Sequence, residues 1–132
     1  MSDAIAQQEF TGKAKEVLDE IQESMGMVPN FFKAQAAVDP VWLELNWRRL
    51  QAIMLSQGEL DRKTKELIAM TVALVSHCDY CSLAHETMAR MSGASEKEVN
   101  ETKQVIELFA SFSSIAESLK IPCDVTPSML KE

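Results

Sequence analysis

Apolar residues recur every three or four positions along most of this chain, and that period is the strongest constraint on its fold. The segment 9–25 shows it with Phe10, Ala14, Val17, Leu18, Ile21 and Met25. This spacing places side chains on one face of an α-helix, whereas a half-buried strand needs strict alternation. No segment of the sequence sustains such alternation. The sequence therefore predicts an all-α, single-domain helical bundle of about six helices over residues 1–132.

Capping and helix-breaking residues divide the first part of the chain into helices. The signals are, in order, Gly26 and Pro29, then Asn30 as an N-cap, Asp39 before Pro40, Gly58, and Asp61. They predict helices over about 9–25, 30–38, 41–56 and 61–75. The last of these is apolar nearly all round, which is typical of a central buried helix.

The second part of the chain continues the same pattern. A helix over about 78–91 ends at Gly93, and Ser95 with Glu98 forms a capping box for one more long helix. One stripe of that helix contains Val105, Leu108, Phe109, Phe112, Ile115 and Leu119. Such a stripe is more often part of a core than an interface. The tail, 121–132, is predicted to be irregular.

Composition excludes several classes of protein. The formal charge is −7, which argues against a nucleic-acid partner because such partners favour basic surfaces. Three cysteines are too few for a secreted disulfide framework. The longest uncharged apolar run, 67–75, is too short to cross a membrane, and no secretory leader is visible. We therefore expect a cytoplasmic protein with no membrane partner.

Both histidines and two of the three cysteines lie within residues 77–85. Cys78 and Cys81 are one helical turn apart, at the start of a predicted helix, where a dithiol can close a disulfide and the helix dipole favours a thiolate. His85 follows Cys81 by four residues and shares its face, so its imidazole can accept the thiol proton. His77 would point away from that face and is secondary.

Glu66 joins this group if the two helices are antiparallel. The carboxylate lies twelve residues before Cys78, and a helix that folds back brings His85, rather than the cysteines, towards it. The predicted order is then Glu66, His85, Cys81 and Cys78, which follows the general logic of a catalytic triad. The simplest alternative is that Glu66 only pairs with Arg62, one turn earlier.

Two non-catalytic hypotheses remain open for this segment. Zinc could be bound by His77, Cys78, Cys81 and His85, although two histidines on a single helix do not easily reach one ion. The chain could also be a non-enzymatic helical assembly domain. Cys123, in the proline-flanked tail, is expected to be a free, non-catalytic thiol.

The pattern Glu66-x11-Cys78-x2-Cys81-x3-His85 resembles the core motif of the alkylhydroperoxidase D-like proteins in the carboxymuconolactone decarboxylase superfamily. The stretch 26–33, Gly-Met-Val-Pro-Asn-Phe-Phe-Lys, also resembles that family. The resemblance covers about residues 16–112. Where the best-studied hydroperoxidases have a further histidine, this chain has Tyr80, a form that many members share. The superfamily's decarboxylases lack the cysteine pair.

The resemblance implies an all-helical fold that assembles as trimers or hexamers. It also implies an alkylhydroperoxidase-type peroxidase with no metal, haem or other cofactor, which reduces a hydroperoxide and is itself reduced by a dithiol or a disulfide-carrying protein. Cys81 would be the peroxidatic thiolate, Cys78 its resolving partner, and Glu66 and His85 the proton relay. The position of Cys78 at the helix start favours Cys78, instead of Cys81, as the attacking thiol. An alternative function is that of a disulfide reductase without peroxide activity.

Overall fold

The computed structural model describes residues 7–131, and no β-strand occurs among them. Six α-helices have both ends in this range: α1 (Gly12–Met25), α2 (Asn30–Val38), α3 (Pro40–Leu50), α4 (Arg62–Val75), α5 (Asp79–Met91) and α6 (Glu96–Ser118). The prediction of an all-α fold with about six helices is confirmed. The chain divides into two compact units after Gly58. A single domain over the whole chain stays a prediction.

The first unit has its core between α1, α2 and α3. Trp47, Leu43 and Ile21 are fully buried. The ring of Phe32 meets the indole of Trp47 edge to face, with 5.6 Å between the ring centroids. The indole N–H of Trp47 donates to the carboxylate of Glu20, so the one polar atom of this buried ring is satisfied. The apolar stripe found in the sequence of α1 is therefore a true core face.

The helices of this unit differ from prediction at several places, and α1 begins at Gly12 rather than near residue 9. Pro29, with extended backbone, is the N-cap of α2, and Asn30 is its first residue; the prediction that Asn30 caps the helix is wrong. Asp39 caps α3 as predicted, and its side chain accepts the N–H of Val41 at 2.9 Å. The predicted helix over 41–56 is α3 followed by a π-helical turn, Gln51–Leu55.

The second unit is built on α4, which packs against both α5 and α6. Glu66 contacts His85 and Arg62 contacts Met88, so residues earlier in α4 meet residues later in α5. The two helices are therefore antiparallel, as the sequence argument required. The small core of this unit contains Met70, Ala89, Ala94 and Val99.

Two apolar surfaces of this unit are exposed, against expectation. Ile68, Val72 and Val75 of α4 are 49%, 60% and 58% exposed, so the prediction that α4 is buried all round is wrong. Its neighbours cover only the face that carries Glu66, Met70 and Ala73. The stripe of α6 is also exposed, by 42% to 69%, at Val105, Leu108, Phe109, Phe112, Ile115 and Leu119.

The caps of α4 and α6 follow the sequence signals. Asp61 accepts the N–H of Thr64 at 2.8 Å, and Ser95 with Glu98 forms the reciprocal capping box. Beyond α6 the described tail is irregular apart from one 3-10 turn, Pro127–Met129. None of the helices described combines the length and the apolar character needed to cross a bilayer.

Candidate active site

A tight turn after α4 sets the start of α5 and therefore the position of the cysteine pair. His77 has a φ of +57°, in the left-handed region. The N–H of Cys78 donates to the carbonyl of Ala73 at 3.0 Å, and the N–H of His77 donates to Leu74 at 3.2 Å. These two bonds satisfy carbonyls at the end of α4 in the manner of a Schellman motif. The chain reverses here, and Cys78 becomes the N-cap of α5.

The left-handed backbone at His77 predicts that His77→Gly stabilises the protein. A β-carbon in this region costs about 1–2 kcal/mol, while glycine loses part of that gain through its larger unfolded-state entropy. We expect the free energy of unfolding, measured with urea, to rise by about 0.5–1 kcal/mol. His77→Ala is the control, because it keeps the β-carbon. Equal stability of the glycine and alanine variants would contradict this account of the turn.

The two cysteines of the motif form a disulfide. Cys78 and Cys81 are bonded through their sulfurs, with 5.3 Å between their Cα atoms. The sulfur of Cys78 also accepts the backbone N–H of Cys81 at 3.2 Å. This donor is one of the N–H groups that the first turn of a helix leaves without a partner. The Cys78 sulfur therefore lies where the helix end favours negative charge.

His85 contacts a buried carboxylate on the neighbouring helix. Its Nδ1 lies 2.7 Å from Oε2 of Glu66, whose side chain is only 1% exposed. An ionised carboxylate is an acceptor only, so the hydrogen-bond network assigns the bonding proton to Nδ1. Nε2 of the same ring is then the atom that can gain or lose a proton.

Arg62 binds the other oxygen of the same carboxylate, with 2.8 Å between its Nε and Oε1 of Glu66. The ion pair between Arg62 and Glu66, which was the simplest alternative to a catalytic role for Glu66, is therefore present. The contact between Glu66 and His85 is present as well. Burial raises the pKa of Glu66, but hydrogen bonds from His85 and Arg62 outweigh it and hold that pKa below the ordinary value of 4.5. From the sequence, the Arg62–Glu66 pair was treated only as an alternative to the Glu66–His85 contact. The i,i+4 spacing of Arg62 and Glu66 was the signal that Glu66 could have both partners.

The structure thus forms two pairs from the four predicted site residues: Glu66 with His85, and Cys78 with Cys81. His85 lies one turn beyond Cys81 on α5. Among residues 7–131 no hydrogen bond joins the side chains of Cys81 and His85. Because Cys78 and Cys81 are bonded in a disulfide, neither sulfur carries a proton that His85 could accept. A direct contact between Cys81 and His85 stays a prediction.

His77 and Cys123 belong to neither of these pairs. His77 is exposed at the turn. Cys123 is an exposed free thiol in the tail. In the described part of the chain, no three side chains of His, Cys, Asp or Glu converge as ligands of one metal ion. The four-ligand zinc site that was considered therefore has no preformed geometry.

Comparison with known proteins places this chain in a family. A sequence model of the carboxymuconolactone decarboxylase family matches residues 40–122. "Uncharacterized protein 4 in cox locus" of Paracoccus denitrificans is 35% identical over 69 residues, which are 52% of this chain. The match spans 58% of the length of that relative.

A solved structure shares the fold. The crystal structure of the alkylhydroperoxidase AhpD core from Rhodospirillum rubrum superimposes with a TM-score of 0.80 at 30% identity, over 85% of this chain and 83% of that one. This chain belongs to the carboxymuconolactone decarboxylase family and is alkylhydroperoxidase D-like.

Proposed function

We propose that this protein is a thiol-dependent peroxidase that reduces hydroperoxides through a Cys78–Cys81 dithiol–disulfide cycle. The observation that carries the proposal is the 2.7 Å contact between His85 and the buried Glu66. His85 is on the helix that begins with the cysteine pair, and that pair closes a disulfide. A carboxylate that orients an imidazole one helical turn from a cysteine is an arrangement for activating a nucleophile. The fold shared with an alkylhydroperoxidase core supports the same reaction.

The first step oxidises Cys81. His85 accepts the thiol proton on Nε2, while Glu66 holds the ring and stabilises its positive charge. The Cys81 thiolate attacks the outer oxygen of the hydroperoxide, forms an S–O bond and breaks the O–O bond. The proton held by His85 passes to the departing oxygen, so the products are an alcohol and a sulfenic acid on Cys81.

The second step closes the disulfide. The Cys78 sulfur attacks the sulfenic sulfur, and the hydroxyl group leaves as water after taking up the proton of the Cys78 thiol. A dithiol, free or on a carrier protein, then reduces the disulfide and is itself oxidised to a disulfide. The helix start that donates an N–H to Cys78 stabilises this sulfur when it leaves as a thiolate. The cycle suits the cytoplasm, where thiols are kept reduced.

Reduction of disulfides without any peroxide step is the second candidate function. It needs the same cysteine pair and the same N–H donor to Cys78, but no oxygen chemistry. The buried Glu66–His85 pair favours the peroxidase, because protonation of a leaving oxygen needs a proton donor beside Cys81.

The test is to mix pre-reduced protein with hydrogen peroxide, alkyl hydroperoxides and small disulfides in separate reactions. Formation of the Cys78–Cys81 disulfide is followed by intact mass and peptide mapping, and turnover by peroxide consumption with dithiothreitol present. We expect turnover with at least one hydroperoxide. Disulfide formation only with disulfide substrates would support the reductase instead, and no reaction with either would contradict both.

We also propose that the protein is a homo-oligomer, a trimer or hexamer. The support is the exposed apolar stripe of α6, which includes Phe109 and Phe112 at 56% and 49% exposure. Contiguous apolar surface of this kind is uncommon on monomers. Light scattering should give at least three times the chain mass of 14.7 kDa. A mass equal to one chain would contradict the proposal.

A further inference from the structure

One buried carboxylate contacts two basic side chains, one on each of its oxygens. Oε1 of Glu66 receives the Arg62 Nε–H at 2.8 Å, and Oε2 lies 2.7 Å from Nδ1 of His85. The side chain of Glu66 is 1% exposed, so water does not compete for either oxygen. The positive charge of the guanidinium therefore acts on the same carboxylate that acts on the imidazole.

Arg62 is positioned by both helices. Its Nε binds Glu66 one turn further along α4, and its Nη2 lies 4.0 Å from the sulfur of Met88 on α5. Arginine does not lose its proton in proteins. Its influence on Glu66 is therefore constant across the pH range in which a histidine titrates.

Other charged side chains of this unit form ion pairs with one another. The pairs, taken from all three helices of this unit, are Glu86 with Lys103 at 2.9 Å, Glu86 with Arg90 at 3.6 Å, and Lys63 with Glu98 at 2.8 Å. Asp79, in the first turn of α5, is exposed, so its charge is screened by water. Glu66 and Arg62 are the charges that bear most directly on the imidazole.

A buried carboxylate with the imidazole as its single partner would hold the imidazolium tightly, because opposite charges attract strongly where water is excluded. An imidazolium held in that way cannot accept the proton of a thiol. A single group that serves as both general base and general acid in a catalytic cycle must be able to take up a proton and release it. A second, permanent cation on the carboxylate weakens its hold on the first.

We propose that Arg62 is a positioning residue that shares the Glu66 carboxylate with His85, so that His85 can release its proton as well as bind one. The role of Arg62 in turnover rests on the proposed peroxidase function, whereas its effect on the His85 proton does not. The pKa of Glu66, held below its ordinary value by both partners, agrees with a carboxylate that stays ionised throughout the cycle.

The test follows the His85 ring by NMR during a pH titration of the disulfide form, in which no thiol titrates. His77→Asn, a residue type that tolerates left-handed backbone, leaves a single histidine to observe. In this background Arg62→Gln should move the midpoint of the His85 titration to higher pH by about one unit or more. Arg62→Lys should restore most of the wild-type midpoint. Arg90→Gln, which breaks a surface pair on α5, is the matched control and should leave the midpoint unchanged.

Arg62→Met provides a second variant, because it keeps an apolar stem beside Met88 if the glutamine variant folds poorly. It should displace the midpoint in the same direction. An unchanged midpoint, or one at lower pH, in a folded Arg62→Gln or Arg62→Met protein would overturn the proposal. The result is independent of peroxide turnover, so a protein that reduces no hydroperoxide could still pass or fail this test.

Turnover gives a separate readout. In the Arg62→Gln variant, peroxide consumption should fall about tenfold at pH 7 and recover at higher pH. Its rise with pH should be displaced by the same amount as the NMR midpoint. A purely structural role would lower the rate at every pH without displacing the profile, which would overturn the proposed role in turnover.

Discussion

Replacing Cys81 by serine is expected to reduce peroxide turnover to the rate of the buffer with dithiol alone. The hydroxyl of serine is far less acidic and less nucleophilic towards peroxide oxygen than a thiolate, so the S–O bond of the first step cannot form. The measurement is peroxide consumption with dithiothreitol at pH 7. Cys123→Ser is the matched control, because that thiol is exposed and free; it should keep the wild-type rate.

Cys78→Ser separates the two thiols of the motif. In this variant Cys81 should still reduce one equivalent of peroxide and then stop as a sulfenic acid, which a dimedone label and peptide mapping detect. Cys81→Ser should give no such adduct on Cys78. A dimedone adduct on Cys78 in the Cys81→Ser variant, with none on Cys81 in the Cys78→Ser variant, would show the opposite. The attacking thiol would then be determined by the N–H group at the helix start and not by His85.

Part of this site follows from the sequence, because it depends on helix geometry and on one assumption about packing, that α4 and α5 are antiparallel. The spacing from Glu66 to His85 and an antiparallel return of α5 were enough to predict their contact, and the structure has it. The capping signals at Asp61 and Ser95 located the starts of α4 and α6 in the same way. Local rules of this kind need no knowledge of the rest of the fold.

Other features could not be obtained from a pattern. The apolar character of Val72 on α4 and Phe112 on α6 predicts that something covers these faces, but the period of a helix does not say what. Both are exposed in this chain. The left-handed backbone at His77 was also missed, because glycine or asparagine is the usual signal for it.

Glu66→Gln is expected to lower peroxide turnover at pH 7 by about 10²- to 10³-fold, a typical effect of losing general acid–base catalysis. The amide keeps the shape of the side chain. With its oxygen turned to Arg62, its NH₂ group faces Nδ1 of His85, which must then be the acceptor. The ring proton moves to Nε2, so the atom that should take the thiol proton is blocked. Glu86→Gln, a change at a half-buried glutamate paired with Lys103, is the control and should leave turnover unchanged.

The same substitution should change how stability depends on pH. Folding lowers the pKa of Glu66 from 4.5, so its ionised form stabilises the protein fully above that pH, and the contribution is lost as the pH falls through the lower folded value. Glutamine cannot ionise. We expect the variant to be less stable by about 2 kcal/mol at pH 7, and the difference from the wild type to narrow steadily below pH 4.5. Urea denaturation of both proteins across this range measures it. Comparing the two proteins cancels the acid titration of the other carboxylates, so a difference that stays constant with pH would show that folding does not lower the pKa of Glu66.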